Sequence, residues 1–358
     1  MDDQRMKGVP TQCLQEADKR ARERFRMVNL EHPVMEKLFA VSKEFTARDL
    51  AEAPDRQAPR SSGSPGVPRR PAESLESSLT LGPLEVLVSE IKLPAVPQVL
   101  LELLQLLEDQ SSSARDLADV IRLDTGLAST LLRIVNSAYY SFPFPIDTID
   151  RAVTLLGTRE IASLALSSTF LKMFKESPAR FIPLESFWKH SICCGSAARI
   201  VAQRCGLSNP ERHFLAGLLH DIGRLVMFVH LPELSEELMA VAYWKDVSLR
   251  QAELEVLGYD HGRFGASLLA NWNFPKTLTM AVQHHHDPGE GMGFDEPRCV
   301  HLANIISTTL GAGSSGDDLV PPLDTLAWQE LDLDIETLPE IVDSIHKELK
   351  TLLSPLTQ

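Results

Sequence analysis

The residues able to do chemistry gather in one stretch of the chain. His190, the pair His220-Asp221, His261 and the run His284-His285-His286 all lie between positions 190 and 286. Imidazole and carboxylate together are the usual ligands of a divalent metal that activates water for hydrolysis. His220-Asp221 closes the apolar run FLAGLL and is followed by Ile222-Gly223, the signature of a helix end. Adjacent side chains there diverge by about 100°, so the pair could reach two metal positions at once. His190 shares a helix face with Cys194, Ala197 and Val201 and is expected to point into the core. A lone histidine is more often a satisfied core or surface group than a ligand. His213, His230 and His346 are read in that way.

The elements that must hold this cluster read as helices throughout, with no strand-like alternation. Val99, Leu100, Leu103, Leu104 and Leu107 recur at helical spacing, and Ser113 with Asp116 forms a capping box for the next helix. Leu127, Leu131, Ile134, Val135 and Ala138 mark a third. Asp147 is expected to cap a fourth that runs through Leu156, and Glu160–Phe174 forms the fifth of a compact bundle. The second set comprises Phe187–Cys205, a helix opened by Asn209-Pro210, Glu253–Asn271, Pro275–His286 and Arg298–Leu310. Two shorter helices are expected between Leu323 and Leu353. Upstream, Leu14–Val28 and Val34–Phe45 read as charged helical stretches with sparse apolar positions. The Pro/Ser/Arg-rich segment from Ala53 to Ser78 cannot bury enough surface to offset its ordering entropy and is read as a flexible linker.

Charge is uneven along the 358 residues. Positions 1–80 hold 14 basic and 13 acidic side chains, a net of +1, whereas the remainder, at 21 and 36, is net −15 and accounts for all of the chain's −14. A domain so acidic repels a phosphate backbone, which argues against direct nucleic-acid binding and for protein partners or small ligands. Five cysteines without CxxC spacing give no disulfide framework, and Cys193-Cys194 is read as a buried apolar pair. No apolar run reaches the roughly 18–20 residues of a membrane span. MDDQRMKGVP lacks the apolar stretch of a secretory signal. The expected location is the bacterial cytoplasm, with no membrane partner.

Several of these stretches together resemble the HDOD domain, a relative of the HD and HD-GYP phosphohydrolases. The words that carry the resemblance are LPAVPQVLLELL (93–104), Asp124-x-x-Leu127, Val135-Asn136-Ser137-Ala138-Tyr139-Tyr140 and Ile149-x-x-Ala152-Val153-x-x-Leu156-Gly157. FWKHS (187–191), FLAGLLHDIGRLV (214–226), DHGRFGASLLANWNFP (260–275), AVQHHHDP (281–288) and VHLANIIS (300–307) continue it. The resemblance implies an all-α, multi-helix HD-like bundle over residues 82–310. It would follow a helical N-terminal segment (1–52) and the linker (53–80), and precede a helical extension (311–358) packed on the domain.

The resemblance also places a candidate metal set: His190, His220, Asp221, His261 and His285, holding iron, manganese or zinc. Arg224 stands where HD-GYP enzymes carry lysine, and Asn304 stands where the last aspartate is expected. An amide is a neutral, poorer ligand than a carboxylate, so this site reads as weakened, and no catalytic residue is assigned. The family is regarded as regulatory, which implies a non-catalytic signal-transduction module acting through protein partners. The alternatives are a metal-dependent phosphohydrolase or a nucleotide sensor that does not hydrolyse. Asn136, Ser137, Tyr139 and Tyr140 are read as structural, closing a helix before a proline turn.

Overall fold

The protein was analysed as a computed structural model that describes residues 8–52, 84, 91, 94–109, 111–137, 140–175 and 181–353. The expected linker, Ala138 and Tyr139 lie outside the described residues. Among the described residues there are helices and no strands. The N-terminal hairpin is α1 (Thr11–Arg24) and α2 (Pro33–Glu52). A first lobe follows: α3 (Gln98–Glu108), α4 (Ala114–Leu123), α5 (Thr125–Val135), α6 (Ile149–Leu156) and α7 (Thr158–Phe174). The second lobe holds α8 (Leu184–Arg204), α9 (Pro210–Leu219), α10 (Ile222–His230), α11 (Pro232–Lys245), α12 (Leu249–Leu257), α13 (His261–Asn271), α14 (Lys276–His284) and α15 (Glu296–Leu310). The chain finishes with α16 (Thr325–Leu331) and α17 (Leu338–Leu353).

Local rules explain most boundaries. Ser113 Oγ accepts from the Asp116 amide while Asp116 Oδ2 accepts from that of Ser113, so both halves of the expected capping box are present. Asp124 caps α5 through the Leu127 amide at 2.9 Å. Pro210 occupies the first turn of α9, where its missing N–H costs nothing.

Two expectations are corrected. The cap of α6 is Thr148, whose Oγ1 accepts from Arg151 N–H, while Asp147 pairs with the Arg151 guanidinium at 2.9 Å. The expected Glu253–Asn271 helix is two helices, because Gly258 adopts a left-handed φ of 76° and Asp260 starts α13 by accepting from Arg263 N–H. That break matters for the site, since it places His261 at the first position of a helix. Helices α10 and α11, which sequence reading did not assign, turn the chain between Asp221 and α12.

One apolar core joins all these parts. Its axis is α8, buried almost continuously from Phe187 to Ala202 and packed against α9, α15 and α17. The N-terminal hairpin is part of this core, burying Phe25, Val34, Met35, Leu38 and Val41. Its apolar positions are few but concentrated on the inward side. Arg24 and Ser42 both donate to Thr309 O at the end of α15, at 3.3 and 2.8 Å. A buried polar knot ties the lobes together: Arg199 on α8 donates to Ser163 on α7 (2.7 Å), Glu211 on α9 (3.2 Å) and Glu348 on α17 (2.7 Å). No single helix among the described residues is long and apolar enough to cross a membrane.

Candidate metal centre

Four helix ends deliver the centre's ligand-type side chains. His190 comes from the second turn of α8, His220 and Asp221 from the α9–α10 junction, His261 from the start of α13, and His285 and His286 from the end of α14. Helices α10 and α13 can approach closely because glycines face each other where they cross. A Cβ at Gly223 would lie 2.1 Å from His261 O and 2.7 Å from Gly265 N, so only glycine permits this contact.

The five imidazoles surround one carboxylate. Nε2 of His190 lies 3.3 Å from Nε2 of His220, and Asp221 Oδ2 is 3.1 Å from His220 and 3.7 Å from His190. On the other side, His261 Nε2 is 3.3 Å from His285 Nε2, 3.1 Å from His286 Nε2 and 2.9 Å from Asp221 Oδ1. Two trios result, His190-His220-Asp221 and His261-His285-His286, each with its ligand-type atoms within 4.8 Å of one another. Asp221 turns one oxygen toward each.

The donors around the outside decide which nitrogens face inward. His220 Nδ1 lies 2.8 Å from Gly217 O and His285 Nδ1 2.7 Å from Val282 O. A carbonyl only accepts, so each Nδ1 carries the proton and each Nε2 presents its lone pair to the centre. Glu253 Oε2 accepts from both Nδ1 (2.6 Å) and the backbone N–H (2.9 Å) of His261, a carboxylate–histidine pair of the kind that orients metal ligands. Arg224 donates through Nε to Glu253 Oε1 (3.1 Å) and through Nη1 to Ser315 (3.2 Å), holding that carboxylate in place.

Lone pairs converging at such distances in a buried space need a positive charge between them. The Asp221 Oδ1 atom, buried without a hydrogen-bond donor, has the same need. The residues present therefore fit a divalent cation, or two. In the cation-free chain the need appears as displaced titration. Burial pushes Asp221 up, but His220, Arg224 and His261 outweigh it and hold the carboxyl well below its usual range. Burial likewise opposes charge on His220, yet Asp221 and Cys194 keep that imidazole well above its ordinary value. Burial and the neighbouring His220 press His190 down to about 3. Burial, His220 and His261 likewise hold the His285 imidazole well below its ordinary value.

The five candidate metal ligands from the sequence meet here, whereas His284 of the same run lies 3.8 Å from Glu290. His190, His220, Asp221, His261 and His285 are at most 2% exposed. Arg224 supports Glu253 behind His261, and Asn304 hydrogen-bonds His190 from α15 as a neutral neighbour. Three further groups were not singled out: His286, Glu253 and Ser315. His286 was legible as part of the HHH run. Glu253 was hidden by reading α12 and α13 as one helix. Ser315 lies in a loop with no motif. His213 stays apart, bonding Asn209 O at 3.2 Å, and His346 packs edge-on against Phe45. Asn136 clamps the turn by accepting from Ile146 N–H and donating to Ile146 O, both at 2.7 Å.

Fold and site together define an all-helical protein with a buried histidine–aspartate centre of the HD type. The chain belongs to the HDOD domain family, whose sequence profile matches residues 93–288. An HDOD domain protein of unknown function from Geobacter sulfurreducens shares the fold, at 23% identity and TM-score 0.63 over 75% of this chain and 96% of that one. A protein from Shewanella amazonensis SB2B with a provisional phosphohydrolase name is similar at 23% identity and TM-score 0.60, over 76% and 97%. One from Marinobacter aquaeolei VT8, named for signal transduction, shows 20% identity and TM-score 0.63 over 79% and 63%. An uncharacterized protein of Treponema pallidum (strain Nichols) is 24% identical over 196 residues, 54% of this chain. The match spans 38% of that relative's length.

Proposed function

We propose that the chain is a non-catalytic signal-transduction module whose histidine centre holds one or two divalent cations as a folded core, with output through protein partners. The observation that carries this reading is the burial of the ligand-type groups. Sites that hold a metal for structure are closed, whereas catalytic ones keep a position open to water and substrate. His190, His220 and Asp221 would hold one cation, and His261, His285 and His286 a second, with Asp221 between them. Iron, manganese or zinc suit imidazole and carboxylate donors. When bound, such a cation would supply charge and cross-link four helix ends. Asn304 beside His190 adds no negative charge, which suits retention without hydrolysis. The signal-transduction name of the Marinobacter relative accords with this role.

A hydrolytic reading has one specific support, the placing of Asp221 between two histidine trios, an arrangement that two-metal hydrolases use. Elemental analysis of the purified protein beside a His220→Ala/Asp221→Ala variant tests the metal claim. Stoichiometric metal in the wild type and none in the variant is expected. A generic phosphodiester such as bis(p-nitrophenyl) phosphate should not be turned over by the metal-loaded protein. Turnover that rises in Asn304→Asp would replace the signalling reading with the hydrolytic one.

A further inference from the structure

A segment that belongs to neither lobe passes beside the groups that flank the centre. Residues 311–320, GAGSSGDDLV, leave the end of α15 and pass beside the backbone of His190 and the guanidinium of Arg224. Gly313, at φ +80°, lies so close to α8 that a Cβ there would stand 2.2 Å from Ser186 O and 2.8 Å from His190 N. Ser314 N–H donates to Ser186 O at 3.2 Å, and Ser315, 2% exposed, accepts from Arg224. Asp317 takes the amide protons of Leu249 (2.8 Å) and Leu319 (3.1 Å), tying the segment to the start of α12.

Its far end is held by the N-terminal hairpin. Val320 N–H donates to Arg24 O at 2.9 Å, while the Arg24 guanidinium lies against Gly311 and bonds Thr309 O. One residue of α1 thus grips both ends of the segment. From this geometry we infer that residues 311–320 form a strap over the histidine centre and that the N-terminal hairpin is its latch. Whatever displaces the hairpin frees both ends of the strap, and the backbone of His190 and the Arg224–Ser315 contact then open to solvent. The centre's exchange of cations or small anions is thereby placed under control of residues 8–52. The apolar strap contacts are few: Val320 is buried, Ala312 packs on the core, and Gly316 rests on Phe228. Most of its attachment is hydrogen bonding to backbone, which exchanges for water at low net cost.

Carbethoxylation of histidines by diethyl pyrocarbonate, mapped by mass spectrometry on full-length, chelator-treated protein, reads the opening without any bound metal. Two variants attack different ends. Arg24→Ala removes the guanidinium hold at the Gly311 end while leaving the backbone bond from Val320, and Gly313→Ala drives a methyl group into Ser186 O. Both should raise modification of His190, His220 and His261 about tenfold over wild type, leaving His213, buried in α9 away from the strap, unchanged. Equal rates in wild type and both variants would overturn the strap, as would a parallel rise at His213, which reports general loosening. Elemental analysis bears only on the proposed metal, so a metal-free protein that still shows the histidine-selective rise would sink the metal reading and leave the strap standing.

Discussion

Helices α4 and α8 are built on opposite rules. Helix α4 buries one stripe, Leu117, Ala118 and Ile121, and turns Arg115, Asp119 and Arg122 to water, where Arg122 pairs with Asp119 and Asp150. Helix α8 buries nearly everything from Phe187 to Ala202, including His190, Ser191, Ser196 and Arg199. Apart from α7, which is buried on nearly every side, the first lobe rests on caps and amphipathic faces, so its exposed polar groups are cheap to change. In the second lobe, polar groups sit inside and must be matched to partners, because an unpaired buried charge costs far more than an exposed one. Chemistry has gathered where burial makes electrostatics strong.

The contrast breaks most visibly at Arg199. Arg199→Ala leaves Glu211 and Glu348 without their shared cation, and urea unfolding should show a loss of about 3–5 kcal/mol. A loss no larger than that of an exposed arginine would mean the second lobe tolerates buried charge as the first tolerates surface charge. Next comes Gly223→Ala, whose methyl would meet the backbone of α13; a destabilisation of about 3 kcal/mol is expected from overpacking that rotamer changes cannot relieve. In the first lobe, Thr148→Ala removes only the cap of α6 and should cost about 1 kcal/mol, while Asp147→Ala, which loses an exposed ion pair, should be close to neutral in the same assay.

The smallest effect is a pH slope. Burial lowers the His213 imidazole, so the unfolded chain takes up this proton first as pH falls through about 6.5. Its contribution to stability is therefore full above that value and is lost toward the lower folded pKa. His213→Gln should show a shallower decline than wild type between pH 7 and 5. An unchanged slope would mean His213 is not held neutral by its surroundings.

The same contrast governs what could be read from sequence. The first lobe announced itself through period and caps, down to both halves of the Ser113 box, and erred by one residue at Thr148. There Thr148, with an extended backbone at φ −135°, takes the cap, and Asp147 pairs with the Arg151 guanidinium instead. In the second lobe α8 and α9 are buried on nearly every side, so periodicity says little there, and the break at Gly258 passed unseen within an otherwise helical run. The histidines were legible by type, and their meeting point followed from family resemblance. What positions them was less legible: Glu253 was concealed by the misread break, and the strap's role depends on distant contacts with Arg24 that no local pattern encodes.

The glycine crossing of α10 and α13 has one more consequence. Asp221 and His261 stand on helices whose backbones touch at Gly223 and Gly265, so their spacing is fixed by main-chain thickness rather than by adjustable side chains. For the proposed cation, that gap would act as a gauge of ionic radius: one too large would have to distort two helices to enter, so stiffness in the scaffold would weigh beside ligand chemistry in discriminating among metals.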